Sequence, residues 1–294
     1  MGTHQTLTDA QVAGFIEDGY VKLEEAFPRS AALAAQDFLW DRLAAQGVRR
    51  DDPATWAEPM VHLKEVYADD VFQACQTPRL TGAIEDLVGR DRWAGKGRPT
   101  AWGWWPVNFA VGADKPWTVP TGGWHWDGIQ FRHYVDSPDQ GLLLLPMFSE
   151  TGPRGGGTLI AAGSHRPVAR LLARHPDGLE IGEAIALSHR TYPWLAELAG
   201  KTKTVPDRVA YFMDESHPDD TGQPLRVVEA TASPGDVYLC HPFLFHAASQ
   251  NHSGVPRFMC NRTTSLTGRM NVRALTLDSS PVEISIHQAL SEGN

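Results

Sequence analysis

The sequence predicts an α+β fold in which helices surround an antiparallel β core. Three observations lead to this prediction. Capped helical segments come before about residue 90, short apolar runs broken by Gly, Pro, Asp and Asn follow them, and one helical stretch interrupts those runs. Helices first and strands afterwards are typical of a sheet core that helices cover from outside.

The first predicted element is a helix that starts at a capping box. Thr8 is followed three residues later by Gln11, so the two residues can cap the first turn reciprocally. The apolar residues of one helical face are Val12, Phe15 and Ile16. Gly19 then predicts the end of the helix, and residues 21–23 have the composition of a short strand.

Two more helices are predicted before the β region. One covers residues 30–46, and its expected buried positions include Leu33, Leu39 and Leu43. The other starts at Thr77 and Pro78, a capping residue followed by the proline that the first helical position favours. It is predicted to end at Gly89.

The chain after about residue 93 predicts the β core. Its apolar or alternating runs are residues 100–111, 142–148, 158–161, 226–230, 236–239 and 257–263. Runs of this length between turn residues are typical of a sandwich or barrel. Residues 168–174 and 179–187 are predicted to be helical, within a stretch from 168 to about 203 that interrupts the strands. We therefore expect an insertion over one end of the core.

The overall composition indicates one globular domain. Of the 294 residues, 42% are hydrophobic and 21% are charged, which is ordinary for such a protein. Because no repeat or linker divides the chain, we expect a single domain over residues 1–294. Apolar runs such as residues 142–145 are far shorter than the roughly 20 residues of a membrane helix, and the N-terminus lacks a secretory-signal pattern. A cytoplasmic protein is expected.

Charge and cysteine content restrict the partners. The formal net charge is −9 and no lysine- or arginine-rich run occurs, which argues against a nucleic-acid partner. Cys75, Cys240 and Cys260 are odd in number and lack metal-type spacing, so buried reduced thiols are expected. We expect a small-molecule substrate, with neither nucleic acid nor membrane as a partner.

His125 and Asp127 form the most specific chemical motif. On a strand, residues i and i+2 point to the same side, so this pair can offer an imidazole and a carboxylate to one point. Such a pair is two thirds of the facial triad of non-haem Fe(II) oxygenases, which leaves coordination positions open. A third ligand would come from a distant histidine.

The segment of residues 233–249 offers two candidates for that ligand, His241 and His246. Ten residues separate His246 from Arg257, which starts the next apolar strand. An arginine there can bind the distal carboxylate of 2-oxoglutarate through paired, charge-assisted hydrogen bonds. The residues alone leave both histidines possible.

The sequence resembles the phytanoyl-CoA dioxygenase-like (PhyH) family of Fe(II)/2-oxoglutarate-dependent oxygenases. Motifs in matching order carry the resemblance: LTDAQ from Leu7, PRL from Pro78, LVG ending at Gly89, HWD at 125–127, GGGTLIAAGSH from Gly155, PGDV from Pro234, His246 and Arg257. The resemblance implies a double-stranded β-helix, a jelly roll of the cupin-like type, with flanking N-terminal helices and a helical lid insertion. It implies Fe(II), 2-oxoglutarate as cosubstrate, and O2.

Residue by residue, the resemblance implies that the iron ligands are His125, Asp127 and His246. It makes Arg257 the anchor of 2-oxoglutarate, with Thr158 and Asn108 as further polar contacts to the cosubstrate. One position departs from the pattern. Several relatives have a glutamine three residues before the first ligand, and this chain has Gly122 there.

Substrate-binding residues are expected around the metal motif. On a regular strand, Trp102 and Trp104 share one face and Trp105 takes the other. The candidate substrate contacts are Trp104, Trp126, Gln130 and Arg132. Residues of about 166–225 are expected to form the lid and part of the substrate pocket.

The function expected from these residues is oxidation of an unactivated C–H bond of a small-molecule metabolite, usually hydroxylation, with release of succinate and CO2. Three alternatives are weighed at the level of sequence. A cupin-like metalloenzyme that does not use 2-oxoglutarate would not need Arg257 at its spacing from His246. A non-catalytic binding protein of the same fold would have no reason to keep His125, Asp127, His246 and Arg257, and a hydrolytic zinc enzyme would need a general base that the sequence does not show beside the triad.

Overall fold

The computed structural model describes residues 4–98, 101–202 and 205–292. The helices are α1 (Asp9–Asp18), α2 (Arg29–Ala44), α3 (Asp70–Gln73), α4 (Pro78–Val88), α5 (His165–Ala173), α6 (Ile181–Thr191), α7 (Pro193–Leu198) and α8 (Pro281–Glu292), with a 3-10 turn at Pro53–Thr55 and a π-helix at Ala210–Asp214. The strands are β1 (Tyr20–Leu23), β2 (Met60–Tyr67), β3 (Trp102–Asn108), β4 (Leu142–Pro146), β5 (Leu159–Ala162), β6 (His217–Pro218), β7 (Pro224–Glu229), β8 (Val237–Cys240), β9 (His246–Ala247) and β10 (Arg262–Thr264).

The predicted helix caps are confirmed. The side chain of Thr8 accepts a hydrogen bond from the backbone N–H of Gln11, whose side chain accepts one from the backbone N–H of Thr8. Helix α1 ends at Gly19, which has a φ of 82° that favours glycine. At α4, the hydroxyl of Thr77 accepts from Leu80 N at 3.1 Å. Local capping chemistry therefore fixes both helix starts.

Helix α2 confirms the predicted second helix with one wrong position. Leu39 and Leu43 are fully buried, as predicted, but Leu33 is 37% exposed. The buried face of α2 instead includes the small residues Ala32 and Ala35, which let the helix lie close to the core. Leu33 flanks that face.

Within the described residues, two four-stranded antiparallel sheets form the β core. Their strand orders are β1-β8-β4-β10 and β6-β7-β5-β9, and β2 pairs with β3 beside them. Residues from both sheets pack into one inner apolar cluster that includes Leu143, Leu145, Ile160, Tyr238 and Met259. Two facing sheets with this interior are the double-stranded β-helix that was expected.

The outer faces of the sheets and the helices share a larger apolar cluster, to which the tryptophans of β3 contribute. Trp102 and Trp105 of β3 are both buried, and both rings contact Phe148 at centroid distances of 5.9 and 5.2 Å. The prediction that Trp105 faces away from Trp102 is wrong. The register of the β2–β3 ladder shifts between Leu63 and Val66, and Trp104, with a φ of 62°, sits in the resulting bulge. The Trp104 ring is consequently turned outward and is 50% exposed.

The insertion expected within the strand region is helical. It includes α5, α6 and α7, of which α7 was not predicted. Helix α5 is buried from His165 to Leu172 and packs against α8, so this part of the insertion belongs to the protein core. The predicted limits at Thr100 and Lys203 lie outside the described residues.

Two further expectations concern the cysteines and the membrane. Cys75, Cys240 and Cys260 are all buried and free, as predicted. Over the ranges given above, none of the helices has both the length and the apolar character needed to cross a bilayer.

Candidate metal centre

Backbone pairing brings the two histidine segments together. His125 and His246 form an isolated antiparallel bridge, in which His125 N donates to His246 O at 3.0 Å and His246 N donates to His125 O at 2.8 Å. His246 also lies in β9, which pairs with β5 opposite Ile160. The sheet thus holds both imidazoles on the inner side of the core.

The side chains of His125, Asp127 and His246 converge. Their ligand atoms all lie within 4.8 Å of one another. Nε2 of His125 is 3.6 Å from Oδ1 of Asp127, and Nε2 of His246 is 3.8 Å from Oδ2 of Asp127. Two nitrogens and one carboxylate oxygen therefore face a common point.

The competing histidine, His241, lies elsewhere. It is fully buried, and its ring packs against that of His165 at 4.7 Å. His241 Nδ1 accepts a hydrogen bond from Phe243 N at 3.2 Å, and Nε2 of His165 lies 3.3 Å from Ile16 O. His246, and not His241, lies in the cluster with His125 and Asp127.

Hydrogen bonds set the tautomers of the clustered histidines. Nδ1 of His125 lies 2.7 Å from Gly123 O, and Nδ1 of His246 lies 3.2 Å from Leu244 O. A carbonyl oxygen only accepts, so each Nδ1 carries the proton and each Nε2 presents a lone pair. Backbone groups that orient the ring in this way are the usual second support of metal-bound histidines. Nε2 of His246 is buried without a hydrogen-bond partner among the described residues.

Asp127 is held as a carboxylate. Burial opposes its ionisation, but the hydrogen bond from Asn261 and, when the rings of His125 and His246 are protonated in the metal-free site, their hydrogen bonding and charge keep the pKa of Asp127 below its ordinary value. Nδ2 of Asn261 donates its hydrogen bond to Asp127 Oδ2 at 3.1 Å. Sequence reasoning missed Asn261. Alternation along the strand could have found it, since it stands four residues after Arg257 and on the same face.

Arg257 points its guanidinium into the core. The residue is 2% exposed, and its Nε donates to Gly156 O at 3.0 Å. Burial lowers the pKa of Arg257 to about 10, so the group stays cationic at neutral pH. Nη1 is buried with no hydrogen-bond partner in the described chain. A buried guanidinium donor without a partner is a strong attractor for a carboxylate.

The two other predicted cosubstrate residues lie near Arg257. Thr158 is buried, with its hydroxyl 3.5 Å from Sδ of Met259, a residue of the inner cluster. Asn108 pairs with Arg257 through backbone hydrogen bonds in both directions, of 3.1 and 2.9 Å. The carboxamide of Asn108 donates to Ser249 O at 3.0 Å and accepts from Val111 N at 3.1 Å. A direct contact between Asn108 and the cosubstrate stays a prediction.

The predicted substrate residues are spread around the metal motif. Trp104 and Gln130 are exposed. Trp126 is buried, with its Nε1 3.2 Å from His133 Nδ1 and its ring packed on Phe245. The guanidinium of Arg132 donates to Asp177 O, Gly178 O and Glu180 Oε1 of the insertion. The contacts of Trp126 and Arg132 are thus with the core and the insertion, and their roles toward substrate remain predictions.

The residues present fit a divalent iron ion and 2-oxoglutarate. The cluster supplies two neutral imidazole nitrogens and a carboxylate oxygen, a donor set suited to non-haem Fe(II). Among the described residues, Nε2 of His246 and Nη1 of Arg257 are buried without a hydrogen-bond partner. A metal ion bound to Nε2 and a carboxylate bound to Nη1 would supply the missing partners.

Comparisons with known proteins bear on the family and the fold. The family model described as phytanoyl-CoA dioxygenase (PhyH) matches residues 15–259. The fold is similar to that of HygX from Streptomyces hygroscopicus, solved with nickel and 2-oxoglutarate bound, with a TM-score of 0.50 and 15% identity over 93% of this chain and 94% of that one.

Two other solved structures are more distant in shape. EctD from S. alaskensis, with 2-oxoglutarate and 5-hydroxyectoine, gives a TM-score of 0.49 and 17% identity over 90% of this chain and 78% of that one. The carbocyclase SnoK from nogalamycin biosynthesis gives 0.49 and 14% over 95% of each chain. No curated protein matches the sequence at a significant level.

The family match spans most of the chain and includes the histidine, aspartate and arginine residues described above. The chain belongs to the phytanoyl-CoA dioxygenase (PhyH) family, and it is an oxygenase that depends on Fe(II), 2-oxoglutarate and O2 and acts on a small molecule.

Proposed function

We propose that His125, Asp127 and His246 bind Fe(II), and that Arg257 binds the distal carboxylate of 2-oxoglutarate with help from Thr158. The observation that carries this proposal is the converging histidine–aspartate–histidine cluster inside the same β core as the unpartnered Nη1 of Arg257. When bound, the iron supplies activation of O2 coupled to decarboxylation of 2-oxoglutarate to succinate and CO2. The proposed outcome is oxidation, usually hydroxylation, of an unactivated C–H bond of a small-molecule metabolite.

The contribution of the chain is positioning and exclusion of water. Nδ1–H of His125 and of His246 each donates a hydrogen bond to a backbone carbonyl, so both rings keep one orientation throughout the cycle. The fixed charge of Arg257 and its hydrogen bond to Gly156 O orient the cosubstrate without a rearrangement of the core. Asp127 keeps a negative charge that offsets the charge of a divalent metal.

We propose that residues 1–294 form a single domain, in which the insertion of about residues 166–225 forms the lid and part of the substrate pocket, with the buried helix α5 as its base in the core. This insertion contacts the chain on both sides of the metal motif. After the motif, Arg132 bonds with Asp177 O and Gly178 O, as described above. Before it, the guanidinium of Arg208 donates to Val119 O and Pro120 O at 2.7 and 3.0 Å.

A cytoplasmic location without a nucleic-acid partner is proposed on simpler grounds. The net charge is −9, and all three cysteines are buried free thiols. The buried thiols suit a reducing compartment, and the net negative charge argues for a small ligand rather than a polyanion such as nucleic acid.

The proposed site is tested by anaerobic titration of the apoprotein with Fe(II) and then 2-oxoglutarate. The expected result is the weak visible charge-transfer band of the iron–2-oxoglutarate chelate, followed by O2-dependent release of succinate. If Fe(II) binds and no band forms with 2-oxoglutarate, the oxygenase assignment of these residues fails. In that case the cupin-like alternative, which has no use for Arg257, takes its place.

A further inference from the structure

A groove beside the metal cluster carries an unusual combination of side chains. It lies where β2, β3 and β10 meet the segment of residues 93–98, and its volume is about 480 Å³. We call it the Trp104 groove. Its lining includes Lys64, Val66, Arg98, Trp104, Asn261 and Arg262. Among the described residues, no aspartate or glutamate lines it.

The groove is locally basic in an acidic protein. Lys64 and Arg98 are exposed at its rim, while the whole chain carries a net charge of −9. Arg262 lies deeper, with its guanidinium over the rings of Trp93 and Trp102 at 5.4 and 4.8 Å. A concave surface lined by one sign of charge attracts ligands of the other sign. The ligand chemistry that fits is an oxyanion.

The groove also offers an apolar platform. The Trp104 ring is 50% exposed and Val66 is 63% exposed, although both are large apolar residues. The φ of 62° at Trp104 is a strained conformation for an aromatic residue. Strain of this kind is concentrated at functional sites, because the surrounding structure must hold it in place. Its effect here is to turn an indole ring away from the core and into the groove.

Asn261 connects the groove to the metal cluster. Asn261 lines the groove, and its side chain donates to Asp127 Oδ2 at 3.1 Å. Thr263, the next residue on the same strand face, lines the groove as well. A molecule that contacts Asn261 in the groove would therefore be separated from the proposed iron ligand by that one residue.

We propose that the Trp104 groove binds the substrate through an oxyanion group, a carboxylate or a phosphate, attached to a planar apolar body. Lys64 and Arg98 bind the oxyanion, the planar body packs on Trp104, and the carbon to be oxidised faces Asp127 past Asn261. This inference rests on the proposed function, because it names the class of substrate for the same site.

The test uses the full chain loaded anaerobically with Fe(II) and saturating 2-oxoglutarate, which keeps anionic probes away from Arg257. The probes are 2-naphthylacetate and 2-naphthyl phosphate, with 2-naphthylacetamide as the neutral isostere. Ligand-observed NMR titration measures each affinity in the unmodified protein and in the Lys64→Gln/Arg98→Gln double variant. The matched control is Arg29→Gln, which removes an exposed cation that pairs with Glu150 and, like Glu150, does not line the groove.

The expected result is that at least one anionic probe binds about tenfold more tightly than the amide, the size expected for two exposed ion pairs. The double variant should lose this preference, and Arg29→Gln should keep it. Trp104→Leu should weaken all three probes alike. Equal binding of anions and amide, no binding of any probe, or a preference that survives in the double variant would overturn the proposal.

The charge-transfer band in the same samples separates the two proposals. A normal band without anion preference rejects the groove and leaves the proposed function intact. An anion preference without a band rejects the proposed function and leaves the groove as an oxyanion site.

Discussion

Asn261 donates a hydrogen bond from its carboxamide to Oδ2 of Asp127, at 3.1 Å, across the inner face of the β core. The bond occupies the carboxylate oxygen nearer to His246 and leaves Oδ1 on the His125 side. Asn261 therefore fixes the rotation of the only acidic residue in the cluster. We infer that it is a positioning residue for the metal.

Asn261→Ala is expected to weaken Fe(II) affinity about 10- to 100-fold, the usual cost of losing an outer support of a metal ligand. Asn261→Asp should weaken it at least as much, because a second carboxylate beside Asp127 raises the cost of ionising both. Fe(II) titration measures these affinities. An unchanged affinity in Asn261→Ala, together with a lower thermal stability, would assign Asn261 a structural role only.

Asp127→Ala is expected to reduce succinate formation by about 100-fold or more, because the variant loses both a ligand and the charge that offsets the metal. The assay is O2-dependent conversion of 2-oxoglutarate. Asp51→Ala, at an exposed carboxylate that pairs with Arg49, should leave turnover unchanged. Full activity of Asp127→Ala would remove it from the proposed metal site.

Arg257→Gln is expected to raise the Kd of 2-oxoglutarate about 30- to 100-fold, which corresponds to the loss of a charged hydrogen-bonded pair of about 2–3 kcal/mol. Fe(II) affinity should change little, because Arg257 does not belong to the histidine–aspartate cluster. Arg257→Lys should recover part of the affinity, since it restores the charge without the paired geometry. Titration of the charge-transfer band gives each Kd, and an unaltered 2-oxoglutarate affinity in Arg257→Gln would contradict the assignment.

Trp104→Gly and Trp104→Ala remove the same ring and differ in backbone freedom. At a φ of 62°, glycine is unstrained and alanine is not. The glycine variant should therefore be more stable than the alanine variant by about 1 kcal/mol. Chemical denaturation measures the difference, and an alanine variant of equal or higher stability would show that Trp104 stores no backbone strain.

The buried pair His165 and His241 predicts a loss of stability in mild acid. Burial lowers the pKa of His241 to about 3, and burial with nearby His241, Arg166 and Arg170 lowers that of His165 well below its ordinary value. The unfolded chain binds protons on both near pH 6.5, and the folded chain does not. The free energy of unfolding is therefore at its full value above about pH 6.5. As the pH is lowered from there, it decreases by up to about 1.4 kcal/mol per pH unit for each of the two histidines.

Urea unfolding between pH 7.5 and 5.5 measures this slope of the free energy of unfolding against pH. His241→Gln should flatten it, because the variant no longer has that proton-binding group in the unfolded state. His252→Gln, at an exposed loop position, should leave it unchanged. Identical slopes for the unmodified protein and His241→Gln would contradict the prediction.

Local signals in the sequence predicted the elements with strong caps. The capping box at Thr8 and Gln11 and the Thr77–Pro78 start placed α1 and α4 correctly, because these signals act within one turn. The bulge at Trp104 could not be found in this way. It depends on a register shift between β2 and β3, and β2 itself was not predicted.

Spacing and family resemblance predicted His125, Asp127, His246 and Arg257, but not the residues that hold them in place. The residues alone left His241 and His246 both possible, and the resemblance favoured His246. Backbone pairing with His125 is the physical reason that His246 lies beside it. Asn261 and the Trp104 groove escaped prediction because their meaning comes from neighbours that are distant in the chain.

The bridge between His125 and His246 has a consequence for how the enzyme acquires its metal. In small zinc domains, the ion drives folding, so the fold itself waits for the correct metal. Here two backbone hydrogen bonds of the sheet join the ligand segments directly. The affinities of such a site for Mn, Fe, Ni and Cu generally rise in that order. We therefore expect the metal that occupies the site to depend on metal supply more than on the folding of the chain.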